Sequence, residues 1–108
     1  MDRTAIVPGD MQTYYDDWKM SPGLACGDFL FLTGFTGADL SGRMSADPEA
    51  QMRHAFGKVE RVLAEAGLDF SAVVEMTTYH VGLREHLQLF KDIRSEFVRA
   101  PYPAWTAI

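Results

Sequence analysis

The chain has 108 residues, of which 47% are hydrophobic and 12% aromatic, and its formal net charge at pH 7 is -5. This length fits one domain with a modest core, and the hydrophobic share excludes a disordered chain. The acidic balance and the scattered Lys and Arg residues argue against nucleic acid as a partner, because nucleic-acid-binding proteins need a basic surface.

The single cysteine, Cys26, excludes a disulfide framework and a cysteine-rich metal site. It is consistent with a reducing compartment, so the sequence predicts a cytoplasmic protein. No apolar run is long enough to cross a membrane, and no signal-peptide core follows the N-terminus. The three histidines are not at metal-ligand spacing and no cofactor-binding motif is found, so we expect no metal and no cofactor.

Short strands separated by turns are predicted for the first third of the chain. Residues 4–7 are expected to form a strand that ends at Pro8-Gly9-Asp10, and residues 10–19 are expected to be irregular. Residues 24–26 and 29–32 flank Gly27-Asp28. This pattern is typical of a hairpin, because glycine adopts the positive φ that a tight turn needs.

The second hairpin strand runs into Thr33-Gly34. Two interpretations of this glycine stay open at this point. It can form a bulge or turn at the edge of the sheet, or it can let a ligand approach the backbone beside the Thr33 hydroxyl.

A long amphipathic helix is predicted from Asp47-Pro48 to Gly67. Asp47 can cap exposed backbone N–H groups, Pro48 suits the first helical position, and Gly67 suits the C-cap. Apolar residues recur every three or four positions along one face. The opposite face is expected to be solvated and carries Gln51, Arg53, Lys58, Glu60, Arg61 and Glu65.

Residues 73–81 predict a further strand and residues 84–98 a second helix. Residues 104–108 look like the beginning of a strand, so we expect the natural protein to continue with a C-terminal strand that is missing here. Two helices on one face of a sheet make a two-layer α+β domain that spans residues 1–108. The other face would stay apolar and exposed, which predicts self-association.

An ordered set of short segments resembles the RidA/YjgF family of small trimeric proteins from about residue 18 to residue 108. The segments are Gly27-Asp28-Phe29-Leu30-Phe31-Leu32-Thr33-Gly34, Pro48-x-x-Gln51-x-Arg53, Ala66-Gly67-Leu68, Val73-Val74-Glu75-Met76-Thr77-Thr78, Phe97 and Pro103-Ala104. The resemblance implies a chorismate-mutase-like homotrimer with sites in clefts between subunits. It also implies hydrolysis of reactive enamines and imines, which pyridoxal-phosphate enzymes release from amino acids.

The family's cleft positions carry over unevenly. The family's Ser-Gly corresponds to Thr33-Gly34, but the arginine that grips the substrate carboxylate corresponds to Trp105. Indole has one N–H and no charge, so it cannot replace a bidentate guanidinium. Other family cleft residues correspond to Met20, Phe90 and Ala107, and a glutamate thought to activate water would lie beyond Ile108.

These substitutions predict a ligand site made of Met20, Thr33, Gly34, Phe90, Trp105 and Ala107, with the catalytic residues unassigned. The leading hypothesis is a cleft that binds or hydrolyses an imine, an enamine or another neutral small metabolite. One alternative is a deaminase in which another basic residue grips the carboxylate, and the candidates are Arg3, Arg43, Arg94 or a basic residue beyond Ile108. A second is a non-catalytic interaction protein. The endoribonuclease activity also attributed to the family is disfavoured by the charge.

Overall fold

The computed structural model describes residues 2–108, which form five short strands, three α-helices and two 3-10 turns. The strands are β1 (Arg3–Ile6), β2 (Gly23–Cys26), β3 (Phe29–Leu32), β4 (Glu75–Thr78) and β5 (Ala104–Ala107). The helices are α1 (Gln12–Asp16), α2 (Pro48–Glu65) and α3 (Leu83–Arg94). The 3-10 turns span Gly9–Met11 and Phe70–Ala72.

The strands form two sheets. β1, β2 and β3 are antiparallel neighbours in that order, and Gly27 in the β2–β3 turn has the positive φ of 60° expected for the hairpin. β4 and β5 are parallel, with α3 as the crossover between them. The α+β class and the predicted order of elements are confirmed.

The caps predicted for α2 explain its limits. The Asp47 side chain accepts a hydrogen bond from the Glu49 N–H at 3.2 Å, and Pro48 occupies the first turn. At the other end Gly67 has a φ of 75°, and the Leu68 N–H donates to the Leu63 carbonyl at 2.8 Å.

Three boundaries differ from those predicted. Residues 10–19 contain α1 in place of an irregular segment, and β4 is shorter than the strand predicted over residues 73–81. α3 ends at Arg94, before the predicted residue 98, because the N–H groups of Glu96 and Phe97 bond to carbonyls three residues back. These tighter turns direct Val98, which is 3% exposed, into the core.

The core lies between α2, α3 and the inner face of the strands. Its buried members are Phe56, Leu63, Phe70, Phe90, Ile93 and Val98, and Leu30, Met76 and Trp105 pack against it from the strands. Because strand side chains alternate, Phe29 and Phe31 point to the opposite face, where they are 65% and 61% exposed. An exposed apolar patch is therefore present on the β1–β2–β3 sheet, whereas the outward positions of β4 and β5 carry Glu75, Thr77, Ala104 and Thr106.

Candidate functional site

Phe90 on α3 and Trp105 on β5 lie together in the chain. Their rings stack with centroids 5.7 Å apart and planes 27° apart. Phe90 is buried and Trp105 is half-buried. Ala107 is two residues farther along β5 and is half-buried like Trp105, so both side chains lie on the inner face of the sheet.

The polar edge of Trp105 is occupied by Thr78. The indole Nε1–H donates to the Thr78 Oγ1 at 2.9 Å, and the His80 Nε2 lies 2.7 Å from the same hydroxyl oxygen. Because the indole can only donate, the Thr78 hydroxyl accepts from it and its own proton is available to His80. A neutral imidazole with an unprotonated Nε2 can accept this proton.

The surroundings of His80 favour that neutral form. Its ring meets the Phe90 ring edge-on, with centroids 4.6 Å apart and an angle of 89°. Burial, and secondarily the charge of nearby His86, lowers the pKa of His80 from its ordinary value. The sequence predicted His80 as a strand residue that could face a cleft but is more often a hydrogen-bonded core histidine; the structure places it two residues after β4, next to the Thr78 hydroxyl. Its partner Thr78 was missed, although Met76 and Thr78 are two residues apart on β4 and therefore share the inner face.

Arg94 brings a positive charge to Trp105. Its guanidinium carbon lies 4.5 Å from the centroid of the Trp105 ring. The Arg94 Nε lies 3.4 Å from the Met76 sulfur, and Nη2 donates to the Pro103 carbonyl at 3.5 Å. Within residues 2–108 no carboxylate lies within 4.0 Å of this guanidinium. Burial lowers the pKa of Arg94, but an arginine stays charged at neutral pH.

Thr78, His80, Phe90, Arg94 and Trp105 are called the Trp105 cluster below. Of the three arginines considered as substitutes for the family arginine, Arg94 belongs to it. Arg3 lies exposed in β1, and Arg43 lies in an exposed turn where its N–H donates to Asp39. The i, i+4 spacing of Phe90 and Arg94 is the sequence signal that places both on one face of α3.

Residues 33–37, called the Thr33 loop below, leave β3 on the other sheet. The Thr33 N–H donates to the Pro22 carbonyl at 3.1 Å, and the Thr33 hydroxyl makes no hydrogen bond within residues 2–108. A Cβ added at Gly34 would meet no atom within 4 Å, and Gly34 does not have a positive φ. Neither packing nor backbone conformation within the chain therefore requires a glycine at position 34.

Gly37, at the end of the same loop, gives the opposite result. A Cβ there would lie 2.5 Å from the Gln51 Cβ and 2.9 Å from its Cα. Next to this contact, the His54 Nδ1 lies 3.2 Å from the Gly37 carbonyl oxygen. The loop therefore presses directly against α2, and Gly37 is needed for that close approach.

Lys58 corrects the prediction that this face of α2 is solvated. Lys58 is only 3% exposed, and its Nζ lies 3.4 Å from the Thr36 hydroxyl and 5.8 Å from the centroid of the Phe35 ring. Burial lowers the pKa of the Lys58 amine, while Asp39 opposes this shift. Gln51, which is half-buried and donates to the Ser45 carbonyl at 2.7 Å, departs from the prediction in the same way.

The spacing of residues in α2 is consistent with the burial of Lys58 and Gln51. Gln51, His54 and Lys58 are spaced by three and four residues, so they form one helical stripe that the Thr33 loop covers. The stripe is polar, which is why its burial could not be read from hydrophobicity alone.

The predicted site residues thus fall into two groups in the chain. Phe90, Trp105 and Ala107 lie on α3 and β5, whereas Thr33 and Gly34 follow β3. Met20 is half-buried before β2, and its N–H donates to the Tyr14 carbonyl at 3.0 Å. Within residues 2–108 no hydrogen bond, ion pair or ring contact joins the two groups.

Residues 2–108 contain neither a metal-ligand cluster nor a membrane-spanning helix. No group of three or more His, Cys, Asp or Glu side chains is arranged to hold a metal ion. No helix among the described residues combines the length and apolar character needed to cross a membrane.

Comparison with known proteins identifies a matching family. The family profile described as Endoribonuclease L-PSP matches residues 17–108. The RutC family protein YjgH of Escherichia coli is 30% identical over 109 residues, a match that covers 100% of this chain and 83% of that protein.

Solved structures give the same relationship. A structure of a protein called YjgH has a TM-score of 0.87 at 30% identity and covers 99% of this chain and 83% of its own. A probable translation initiation inhibitor from Rhodopseudomonas palustris has a TM-score of 0.84 at 25% identity, with 98% and 83% covered. The Rid-family protein YyfA of Yersinia pestis, at 18% identity, shares the fold, with a TM-score of 0.84 and coverage of 99% and 85%.

Proposed function

Because the chain belongs to the RidA/YjgF family, the one described as Endoribonuclease L-PSP, we propose that it is a cytoplasmic homotrimer that hydrolyses small carboxylated imines or enamines. Each site would be shared by two subunits. One subunit would supply the Trp105 cluster and its neighbour the Thr33 loop.

Two features of the chain support the trimer. The outer sheet face exposes Phe29 and Phe31, whose ring centroids lie 6.3 Å apart, and apolar patches of this kind usually mark interfaces. The two groups of site residues are also separated within one chain, which is what a site shared between subunits requires. Light scattering should give three times the protomer mass, and a monomer in dilute solution would contradict the assembly.

The observation that carries the proposed activity is the guanidinium of Arg94. It lies against the ring that replaces the family's arginine, and it has no carboxylate partner in residues 2–108. A guanidinium recognises a carboxylate through paired N–H donors, so Arg94 can supply the anion contact that Trp105 cannot. The Thr33 hydroxyl and the Gly34 backbone would then face the imine end of the ligand.

Freshly generated 2-iminopropanoate is the substrate that tests this function. Its loss should be faster with the protein than in buffer alone. Arg94→Gln should lower the turnover about tenfold or more, because a charge-assisted contact contributes about 1.5–3 kcal/mol. Arg84→Gln is the matched control, since Arg84 is an exposed arginine in the first turn of the same helix. Equal activity of the two variants would remove Arg94 from the site.

A neutral ligand is the second candidate, and a specific observation favours it. Met20, Phe90, Trp105 and Ala107 are apolar or aromatic, and the only polar atom of the indole already donates to Thr78. In this case Arg94 would only pack on Trp105, and the protein would not act on 2-iminopropanoate. Trp105→Arg would then create imine hydrolysis by restoring the charge at that position. A protein that shows neither turnover nor ligand binding would fit the non-catalytic interaction role.

A further inference from the structure

A groove lies beside Arg94, where the chain leaves α3 and turns back towards β5. It has a volume of about 630 Å³, and Arg94, Arg99 and Tyr102 are among the residues that line it. The groove is open to solvent and has room for more than a three-carbon acid. Tyr102 is 69% exposed, which leaves its hydroxyl accessible at the groove.

The charges in this groove are unbalanced. The chain has 10 Lys and Arg residues against 15 Asp and Glu residues, yet neither Arg94 nor Arg99 has a carboxylate within 4.0 Å in residues 2–108. The one acid in the lining, Glu96, is already paired with Arg53 at 2.9 Å. Two cations therefore face one space without a counter-charge from the described chain.

Both guanidiniums keep donors for a ligand. Arg99 uses only Nη1, at 3.3–3.5 Å from the carbonyls of Ser95, Glu96 and Val98. Arg94 uses Nε on a sulfur, which is a weak acceptor, and Nη2 on a carbonyl at 3.5 Å. The Nη1 of Arg94 and the Nε and Nη2 of Arg99 donate no hydrogen bond within residues 2–108.

We propose that this groove binds the second carboxylate of the substrate, so that the proposed site selects short dicarboxylates, such as imines of acidic amino acids, over monocarboxylates. The inference rests on the proposed function, because Arg94 is the residue common to both. Arg94 would hold one carboxylate beside Trp105, and Arg99 would hold the other in the groove. Paired planar N–H donors match carboxylate geometry, and two such groups match a dicarboxylate.

Fluorescence of Trp105 can test this selectivity without any turnover. The chain has two tryptophans, and Trp18, the other one, is 71% exposed, so Trp18→Phe leaves Trp105 as the only reporter. A ligand that draws Arg94 away from the indole should change its emission. Titrations of the trimer with succinate, acetate and inorganic phosphate at low ionic strength give three dissociation constants to compare.

Succinate should bind about tenfold or more tightly than acetate, as expected for one added charge-assisted contact. Arg99→Gln should remove this preference, whereas Arg84→Gln should preserve it. Equal affinities for succinate and acetate, a preference that survives Arg99→Gln, or tighter binding of phosphate than of succinate would each overturn the inference.

The two proposals fail separately. If 2-iminopropanoate is hydrolysed in an Arg94-dependent manner while succinate binds no more tightly than acetate, the dicarboxylate selectivity is wrong and the function stands. If succinate is selected through Arg99 but no imine is hydrolysed, the function is wrong and the groove remains an anion site.

Discussion

The Trp105 cluster and the Thr33 loop differ in how many of their polar groups find hydrogen-bond partners within the chain. In the cluster, the indole N–H, the Thr78 hydroxyl and the His80 ring nitrogen are bonded to one another, and the rings stack on a buried phenylalanine. In the loop, the Thr33 hydroxyl has no partner within residues 2–108, and Gly34 borders open space.

This difference separates residues kept for the fold from residues left for a partner. Buried polar groups usually find partners inside the chain, so Thr78, His80 and Trp105 behave as part of the core, whereas Arg94 keeps N–H donors for a ligand. A hydroxyl with no partner in the described chain, beside a glycine that neither packing nor φ requires, is open to a ligand or a neighbouring subunit.

Removing Trp105 should have the largest effect on stability. Trp105→Ala should cost about 3 kcal/mol, because it leaves a cavity against Phe90 and removes the platform of Arg94. Urea unfolding followed by circular dichroism, at fixed protein concentration, measures the loss. Trp18→Ala is the matched control and should change stability by less than about 0.5 kcal/mol. Similar losses for the two variants would show that Trp105 is not part of the core.

The two glycines of the Thr33 loop should respond in opposite ways. Gly37→Ala should cost about 2 kcal/mol, because the new methyl group collides with the backbone and side chain of Gln51. Gly34→Ala should leave the free energy of unfolding within about 0.5 kcal/mol of wild type. It should nevertheless lower turnover of 2-iminopropanoate, because the methyl group enters the proposed cleft. A stable and fully active Gly34→Ala variant would return position 34 to the bulge interpretation.

Loss of the Thr78 hydroxyl should have a moderate effect. Thr78→Val keeps the side-chain shape but leaves the indole N–H and the His80 nitrogen without their hydrogen-bond partner. The free energy of unfolding should fall by about 1.5 kcal/mol. Thr77→Val is the control, since Thr77 is exposed on the other face of the same strand. Thermal unfolding of both variants gives the comparison. If Thr78→Val is as stable as Thr77→Val, the hydrogen bonds of the Thr78 hydroxyl contribute nothing to stability.

The smallest effect should come from Lys58, and it should be stabilising. Lys58→Met replaces a buried amine with an apolar chain of similar length and should add about 1 kcal/mol at neutral pH. Burial lowers the native pKa of Lys58, whereas the unfolded chain keeps the ordinary value of 10.5. Between those two pKa values the unfolded state binds more protons, so wild-type stability should rise with pH in that window.

Lys58→Met has no amine to titrate, so its free energy of unfolding should lack this rise with pH. The stability difference between Lys58→Met and wild type should therefore shrink as the pH approaches 10.5. Lys91→Met tests an exposed lysine on α3 and should show no such change. A constant difference between wild type and Lys58→Met across the alkaline range would mean that the amine is solvated.

Local chemistry made much of the fold predictable. Asp47-Pro48 and Gly67 define α2 because caps depend on residues adjacent in sequence, and Gly27 defines the hairpin for the same reason. The end of α3 was misplaced because Phe97 and Val98 continue the apolar pattern after the helix has tightened into a turn.

The site was less predictable, because its contacts join distant elements. The stack of Arg94 on Trp105 needs α3 to cross β5, and the burial of Lys58 needs the Thr33 loop to fold over α2. Neither contact follows from the hydrophobic periodicity of a helix, because that pattern predicts burial only for apolar faces. The family resemblance assigned cleft positions to Thr33-Gly34 and Trp105, and that assignment stays a prediction.

Subunit complementation tests the shared site most directly. Arg94→Gln disables the Trp105 cluster, and Gly34→Val should block the Thr33 loop without harming the fold, since space around Gly34 is open. If sites form between subunits, random mixed trimers from equal amounts of the two variants restore about one quarter of the sites. The account predicts that the mixture regains about that share of wild-type turnover of 2-iminopropanoate. A mixture as inactive as its two components would contradict it.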